Sequence, residues 1–177
     1  QDWSSGVRDS FDYVFSMVET LRELRVARIY LADTLGQFSP EDVTRYVGLM
    51  TATWPAVDFE YHGHNDYGLA TANCLAAIRA GARGVHTSVN GMGERAGNTS
   101  LAEIVAAIHD HSDAETAIHE DRLTALASMV ETFSGKELSA NTPIVGRDVY
   151  TQTAGIHADG DAKGDLYGTR LAPARFG

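Results

Sequence analysis

Three short, mostly apolar runs, at residues 26–32, 56–61 and 84–89, each give way to a stretch whose apolar residues recur at helical spacing. No other feature limits the fold as much. The first run, Val26-Ala27-Arg28-Ile29-Tyr30-Leu31-Ala32, reads as a strand of a parallel sheet covered on both sides. Before it, Asp9 or Ser10 can cap a helix presenting Phe11, Val14, Phe15, Val18 and Leu21 on one face and ending near Leu24, whereas the opening Asp2-Trp3-Ser4-Ser5-Gly6 reads as a loop. Asp33-Thr34-Leu35-Gly36 ends the strand. Ser39-Pro40-Glu41-Asp42 then starts a helix carrying Val43, Val47, Met50 and Trp54, closed by Pro55. After the second run, Asp66 is expected to cap a helix over about residues 67–80 that stops at Gly81; after the third, Asn98 or Thr99 opens one with Leu101, Ile104, Val105 and Ile108 inward. Strand–helix units at this spacing predict a parallel sheet, either open and doubly wound or part of a β/α barrel.

The second run carries the chemistry. Residues 56–61 alternate apolar and polar, so the strand they form projects His62 and His64 from one face at its carboxyl end, with Gly63 keeping the approach open. Two imidazoles so placed can take adjacent positions on one metal ion. Polar residues at strand carboxyl ends also mark the catalytic face of a barrel. Beyond the third strand and its helix, the acidic residues 110–121 break the pattern. A further helix is expected from about Glu120 to Phe133, with Leu123, Leu126, Val130 and Phe133 in register and Gly135 as its stop. Residues 141–177 show no long periodic segment and are punctuated by Gly155, Gly160, Gly164 and Gly168. The chain therefore divides into residues 1–119, a β/α portion, and residues 120–177, a small, mostly irregular and helical subdomain.

At 177 residues the chain has the size of one domain or slightly more, and its formal charge of −10 argues against nucleic-acid and anionic-membrane partners. No apolar run reaches membrane-spanning length, and the start at Gln1 shows neither a signal peptide nor a lipidation signal. The single cysteine, Cys74, excludes an internal disulfide and fits a cytoplasmic location; its neighbours Leu75, Ala76, Ala77 and Ile78 place it in a helix core rather than at a reactive site.

Four motifs together resemble the 2-isopropylmalate synthase and homocitrate synthase family: Asp33-Thr34-Leu35-Gly36, His62-Gly63-His64-Asn65-Asp66, the loop Gly91-Met92-Gly93-Glu94-Arg95-Ala96-Gly97-Asn98, and Ala154-Gly155-Ile156-His157-Ala158-Asp159-Gly160. The resemblance implies a (β/α)8 TIM barrel of which this chain holds only about strands 6–8 and the start of the following linker. It implies a divalent-metal-assisted, Claisen-type condensation of acetyl-CoA with a 2-oxo acid, with 2-oxoisovalerate and leucine biosynthesis first and homocitrate or citramalate synthesis as rivals. A homodimer whose late segment crosses to the other subunit is also implied. The barrel's first strand supplies an Arg-Asp pair in the family, and neither Arg8-Asp9 nor Arg147-Asp148 follows an apolar strand that could replace it.

The same resemblance assigns His62, His64 and Asn98 as metal ligands, for magnesium, manganese or zinc. From the residues alone Asn98 reads equally as a helix N-cap. Thr34 matches a contact to the substrate carboxylate, although a Thr before Leu-Gly is also an ordinary turn residue. Glu94 and His157 are the candidates for the base that removes a methyl proton from acetyl-CoA; a Glu94–Arg95 loop salt bridge and a solvent-facing His157 are the competing readings. Tyr167 matches a family tyrosine with a shift of one residue. Two further readings stay open. Lyases that cleave 3-hydroxy-3-methylglutaryl-CoA share the barrel and the H-x-H site but carry a cysteine where Glu94-Arg95 stands here. A non-catalytic half-barrel that needs a partner chain is the other.

Overall fold

The computed structural model describes residues 2–164 and 169–177. It divides into two compact units, Gln1–Glu115 and Thr116–Gly177.

In the first unit, three parallel strands, β1 (Ile29–Asp33), β2 (Phe59–Gly63) and β3 (Gly84–His86), pair in sequence order. They start later or end earlier than the apolar runs suggest. Val26 is 40% exposed and Arg25 takes a positive φ, so the first run spends its opening residues on a turn. Helices α1 (Trp3–Asp9), α2 (Phe11–Glu23), α3 (Pro40–Thr53), α4 (Ala70–Arg79) and α5 (Leu101–His111) complete the unit. The segment at residues 2–6, read as a loop, lies mostly in α1: Trp3 and Val7, one turn apart, are both buried, and Trp3 packs edge-on against Phe38. Burial of that pair, rather than propensity, explains so short a helix.

The core joins alternate strand residues Ile29, Leu31, Phe59 and Tyr61 to Val14 and Val18 of α2, Val43, Val47 and Met50 of α3, Cys74 and Ala77 of α4, and Ile104 and Ile108 of α5. Cys74 is fully buried and its thiol lies 3.1 Å from the Thr99 hydroxyl; burial pushes that thiol up to about 12, which fits packing and not reactivity. Only one face of the sheet is covered in this way. The other carries Tyr30, which is 58% exposed, and the half-buried Ala32, Glu60, His62 and His86, so the described residues cover one side of the sheet, not both sides as the first run suggests. β1 and β2 alternate in burial, and their open parity carries Tyr30, Glu60 and His62 where a doubly covered strand would be aliphatic.

Local chemistry sets the element ends. Ser39 and Asp42 form a reciprocal capping box at α3, and Trp54 is the C-cap. The start of α4 differs from expectation: Asn65, not Asp66, accepts from the Ala70 amide at 3.1 Å, because Asp66 is drawn to Arg95. Likewise α5 begins after Ser100, so neither Asn98 nor Thr99 opens it.

The second unit contains a 3-10 turn at Glu120–Arg122, α6 (Leu123–Ser134), α7 (Gly155–Gly164) and α8 (Pro173–Phe176). Gly135 caps α6 in the left-handed conformation, as its position suggests, but Phe133 is 83% exposed and not inward. α7 forms within the glycine-punctuated stretch that shows no sequence periodicity. Glu120 receives a fork from Arg175, with both N···O distances 2.8 Å, and Tyr150 stacks on Phe176. Among the described residues no helix is long and apolar enough to cross a membrane.

Replacing Ser39 with Ala removes the acceptor for the Asp42 amide and should cost about 1 kcal/mol. A urea titration will show this as a lower midpoint at unchanged slope.

Candidate functional site

Parallel pairing puts Ala32, His62 and His86 in one row across the open face, and Tyr30, Glu60 and Gly84 in the row before it. His64 follows His62 with the same parity. The two rings meet with Nε2 atoms 3.2 Å apart and ring planes at 83°. That separation accommodates an N–H···N bond between them. It also falls within the roughly 2.8–3.4 Å spanned by two nitrogens each about 2.0–2.1 Å from one ion. Burial, reinforced by the neighbouring His64 and His86 rings, holds the His62 imidazole below its ordinary value and keeps it in the neutral form that ligates. Both Nδ1 atoms are buried without a hydrogen-bond partner among the described residues, so packing and the strand orient these rings.

The third member comes from the loop after β3. His64 forms an isolated antiparallel bridge with Asn98, and the Asn65 amide donates to the Gly97 carbonyl at 2.9 Å. Within the loop the Asn98 amide donates to the Gly91 carbonyl at 2.9 Å, and Asn98 Nδ2 donates to the Met92 carbonyl at 2.9 Å. With its nitrogen so tied, the Asn98 Oδ1 is buried and has no partner among the described residues. Such an orphan acceptor is costly unless something meets it. The glycines are needed for this turn: a Cβ on Gly93 would overlap Asn98 Nδ2, and one on Gly97, whose φ is +90°, would overlap the Gly91 carbonyl oxygen. Two imidazoles and a buried amide oxygen without a partner among the described residues, at neighbouring strand ends, therefore suit a divalent cation. Among the described residues no three His, Cys, Asp or Glu side chains converge on such a site. Arg8 pairs with Asp42 at 3.2 Å and Arg147 with its neighbour Asp148 at 3.6 Å.

The other sequence candidates are distributed more widely. Thr34 is half-buried at the end of β1, and its carbonyl accepts from Arg95 Nη2 at 2.6 Å. Glu94 is an exposed loop residue 3.6 Å from Arg95, whose stronger partner is Asp66 at 2.7 Å. The anticipated Glu94–Arg95 bridge is thus a minor contact beside an Asp66–Arg95 fork. His157 is exposed on α7 in the second unit. Tyr167 lies outside the described residues.

Three features escaped sequence reasoning. Asp33 is fully buried, accepts the Gln37 and Phe38 amides at 3.0 Å each, and so shapes the turn that carries Thr34. Glu60 lies between Arg28 at 2.7 Å and His86 at 2.9 Å, and the His86 ring contacts those of His62 and Tyr30. The Arg95–Asp66 fork is the third; the guanidinium holds the Asp66 carboxyl below the usual carboxylate range. Polar alternation in residues 56–61 signalled the row containing Glu60, but its partners depend on strand register.

Two imidazoles and an amide gathered at the carboxyl ends of parallel strands place the molecule in the class of β/α proteins that build their sites at strand ends. The chain belongs to the HMGL-like family, whose sequence profile matches residues 4–130. It is 37% identical over 173 residues to a Methanopyrus kandleri protein named "Putative (R)-citramalate synthase CimA", covering 97% of this chain and 34% of that protein. It is 38% identical over 172 residues to a homocitrate synthase of Sulfurisphaera tokodaii, covering 97% of this chain and 37% of that one. The chain thus spans about a third of the length of these relatives. Among solved structures, an HMG-CoA lyase from Acinetobacter baumannii in complex with coenzyme A and 3-methylmalate superposes with a TM-score of 0.65 at 26% identity, over 81% of this chain and 47% of that one.

Replacing Gly97 with Ala forces the loop off the Gly91 carbonyl and should destabilise the protein by at least about 1–3 kcal/mol. Loss of that much in thermal or urea unfolding, together with exchange of the Asn98 amide at an unprotected rate, is the expected result.

Proposed function

We propose that the protein carrying this chain is an acyltransferase that condenses acetyl-CoA with a 2-oxo acid, and that the chain forms the strand 6–8 portion of its TIM barrel. The pairing of His62 Nε2 with His64 Nε2 at 3.2 Å, with Asn98 bridged to the His64 backbone and its buried Oδ1 without a partner among the described residues, carries this reading. The open sheet face, bearing Tyr30, Glu60, His62 and His86, has the polarity of a barrel interior near its catalytic end. Names of the relatives support the reaction class, citramalate and homocitrate formation being condensations of this kind. They favour pyruvate or 2-oxoglutarate as acceptor at least as much as 2-oxoisovalerate, the acceptor of leucine biosynthesis.

In this mechanism His62, His64 and Asn98 hold a magnesium, manganese or zinc ion, completed by groups outside this chain. When bound, the ion supplies a Lewis acid for the ketone of the oxo acid. The Thr34 hydroxyl donates to the substrate carboxylate. Glu94, or His157 reaching from the neighbouring subunit of a homodimer, takes a methyl proton from acetyl-CoA, with Tyr167 a further candidate for this step. The resulting enolate carbon bonds to the ketone carbon, whose oxygen acquires a proton, and water cleaves the thioester to release CoA. Such an enzyme acts on small molecules in the cytoplasm and has no need of nucleic acid or membrane.

A second reading, HMG-CoA lyase chemistry, is favoured by the likeness to solved lyases. Against it stands the loop at residues 91–98, which has Glu94-Arg95 in place of the lyase cysteine, while the chain's single cysteine is buried in α4.

Free thiol released from acetyl-CoA by the full-length protein with manganese, compared across 2-oxoisovalerate, 2-oxoglutarate and pyruvate, tests the reading directly. Release with one acceptor well above the others is expected; none with any acceptor, alongside cleavage of HMG-CoA, selects the lyase. His62→Ala should abolish metal-dependent turnover, and unchanged activity after chelation and metal restoration would remove His62 from the ligand set. His157→Ala should lower kcat by roughly 10²–10⁴-fold while leaving metal affinity in place. The reverse pattern would assign His157 to the metal.

A further inference from the structure

Loops from all three strand ends meet at one guanidinium. Arg95, in the loop after β3, donates Nε to Asp66 Oδ1 at 2.7 Å and Nη2 to Asp66 Oδ2 at 3.0 Å, in the segment after β2. Its Nη2 also donates to the Thr34 carbonyl at 2.6 Å, in the turn after β1. Exposed ion pairs ordinarily contribute little. This one differs in two respects: a fork fixes both the distance and the plane of the carboxylate, and the additional bond goes to a backbone carbonyl on a separate loop. Arg95 adopts a φ of +53°, a conformation disfavoured for a residue with a Cβ, so the loop accepts backbone strain where the side chain makes these bonds.

Independent packing shows that the three loops are fitted to one another. Gly36 approaches so closely that a Cβ there would lie 2.8 Å from the His64 carbonyl oxygen and 3.1 Å from the Asp66 amide nitrogen. The His64 amide donates to the Asp33 carbonyl at 3.3 Å, and the Asn65 amide to the Gly97 carbonyl at 2.9 Å. Arg95 is thus anchored two residues after His64 and lies three residues before Asn98.

We infer that Arg95 is a positioning residue that locks the Asn98 loop onto the histidine strand and the Thr34 turn, so that the metal-ligating groups and the carboxylate-binding hydroxyl are assembled as one unit. This rests on the metal-site reading above. The guanidinium touches neither metal nor substrate; it acts through the backbone of the three loops.

The test uses the full-length protein with Arg95→Asn, which removes the fork while keeping a residue that tolerates the left-handed backbone, together with Arg95→Lys, Asp66→Asn and the double variant Arg95→Asn/Asp66→Asn. Two readouts are needed: amide hydrogen exchange of the metal-free protein, and Mn2+ binding followed by electron paramagnetic resonance. Arg95→Asn should accelerate exchange at the Asn65, Gly97 and Asn98 amides but not within the strands, weaken Mn2+ binding roughly 10–100-fold, and raise KM for the oxo acid. Asp66→Asn should act in the same direction, and the double variant should lose no more than the worse single one. Lysine keeps the charge without the fork and should stay closer to Arg95→Asn than to the unaltered protein. Unchanged protection in Arg95→Asn, additive losses in the double variant, or full recovery by lysine would overturn the proposal. If protection falls as expected while the unaltered protein binds no Mn2+, the loop lock stands and the metal reading falls; if the unaltered protein and Arg95→Asn bind Mn2+ equally, the reverse holds.

Discussion

The period of two along β2 underlies everything else in this structure. Phe59 and Tyr61 sink completely beneath the helices, so Glu60, His62 and His64 must emerge on the other face. A slip of one residue would bury the imidazoles and expose the aromatics, and two large apolar side chains oppose that strongly. Parallel pairing carries the same parity to β1 and β3, which puts Ala32 and His86 beside His62 and leaves one face polar and uncovered.

Site formation then depends on how the strand ends are joined. Each ends in a loop with its own demand: a buried Asp33 that folds the first turn, an Asn65 that accepts the first amide of α4, and two glycines that let the third loop close over its own carbonyls. Asn98 comes alongside His64 because that last loop folds back until its residues bridge His64 and Asn65. Site precision therefore comes from loops cross-linked by backbone hydrogen bonds and a guanidinium fork, on a sheet whose helices supply the rigidity.

Much of this was legible from residues alone where the cause is local. The Ser39-Pro40-Glu41-Asp42 helix start, the Gly81 and Gly135 stops, the inward positions of α3 and α5 and the shared face of His62 and His64 follow from capping chemistry and periodicity. Where a distant residue competes, the local reading failed. Asp66 looks like a cap but is taken by Arg95, twenty-nine positions later, and it is Asn65 that accepts the Ala70 amide. The opening residues look like a loop until Trp3 meets Phe38, and the first strand looks doubly covered because the sequence does not show which neighbours lie on each side.

What the sequence by itself determined was the order of strand–helix units, the parity that pairs the histidines, and the four motifs that carry the family resemblance. These depend on spacing within a few residues, and spacing is written directly in the chain. Only the tertiary structure decided that Asn98 Oδ1 is buried without a partner among the described residues, that Glu60 joins Arg28 to His86, and that Arg95 spans three loops. Each is a contact between residues remote in sequence, fixed by strand register and loop closure, and no local preference specifies either.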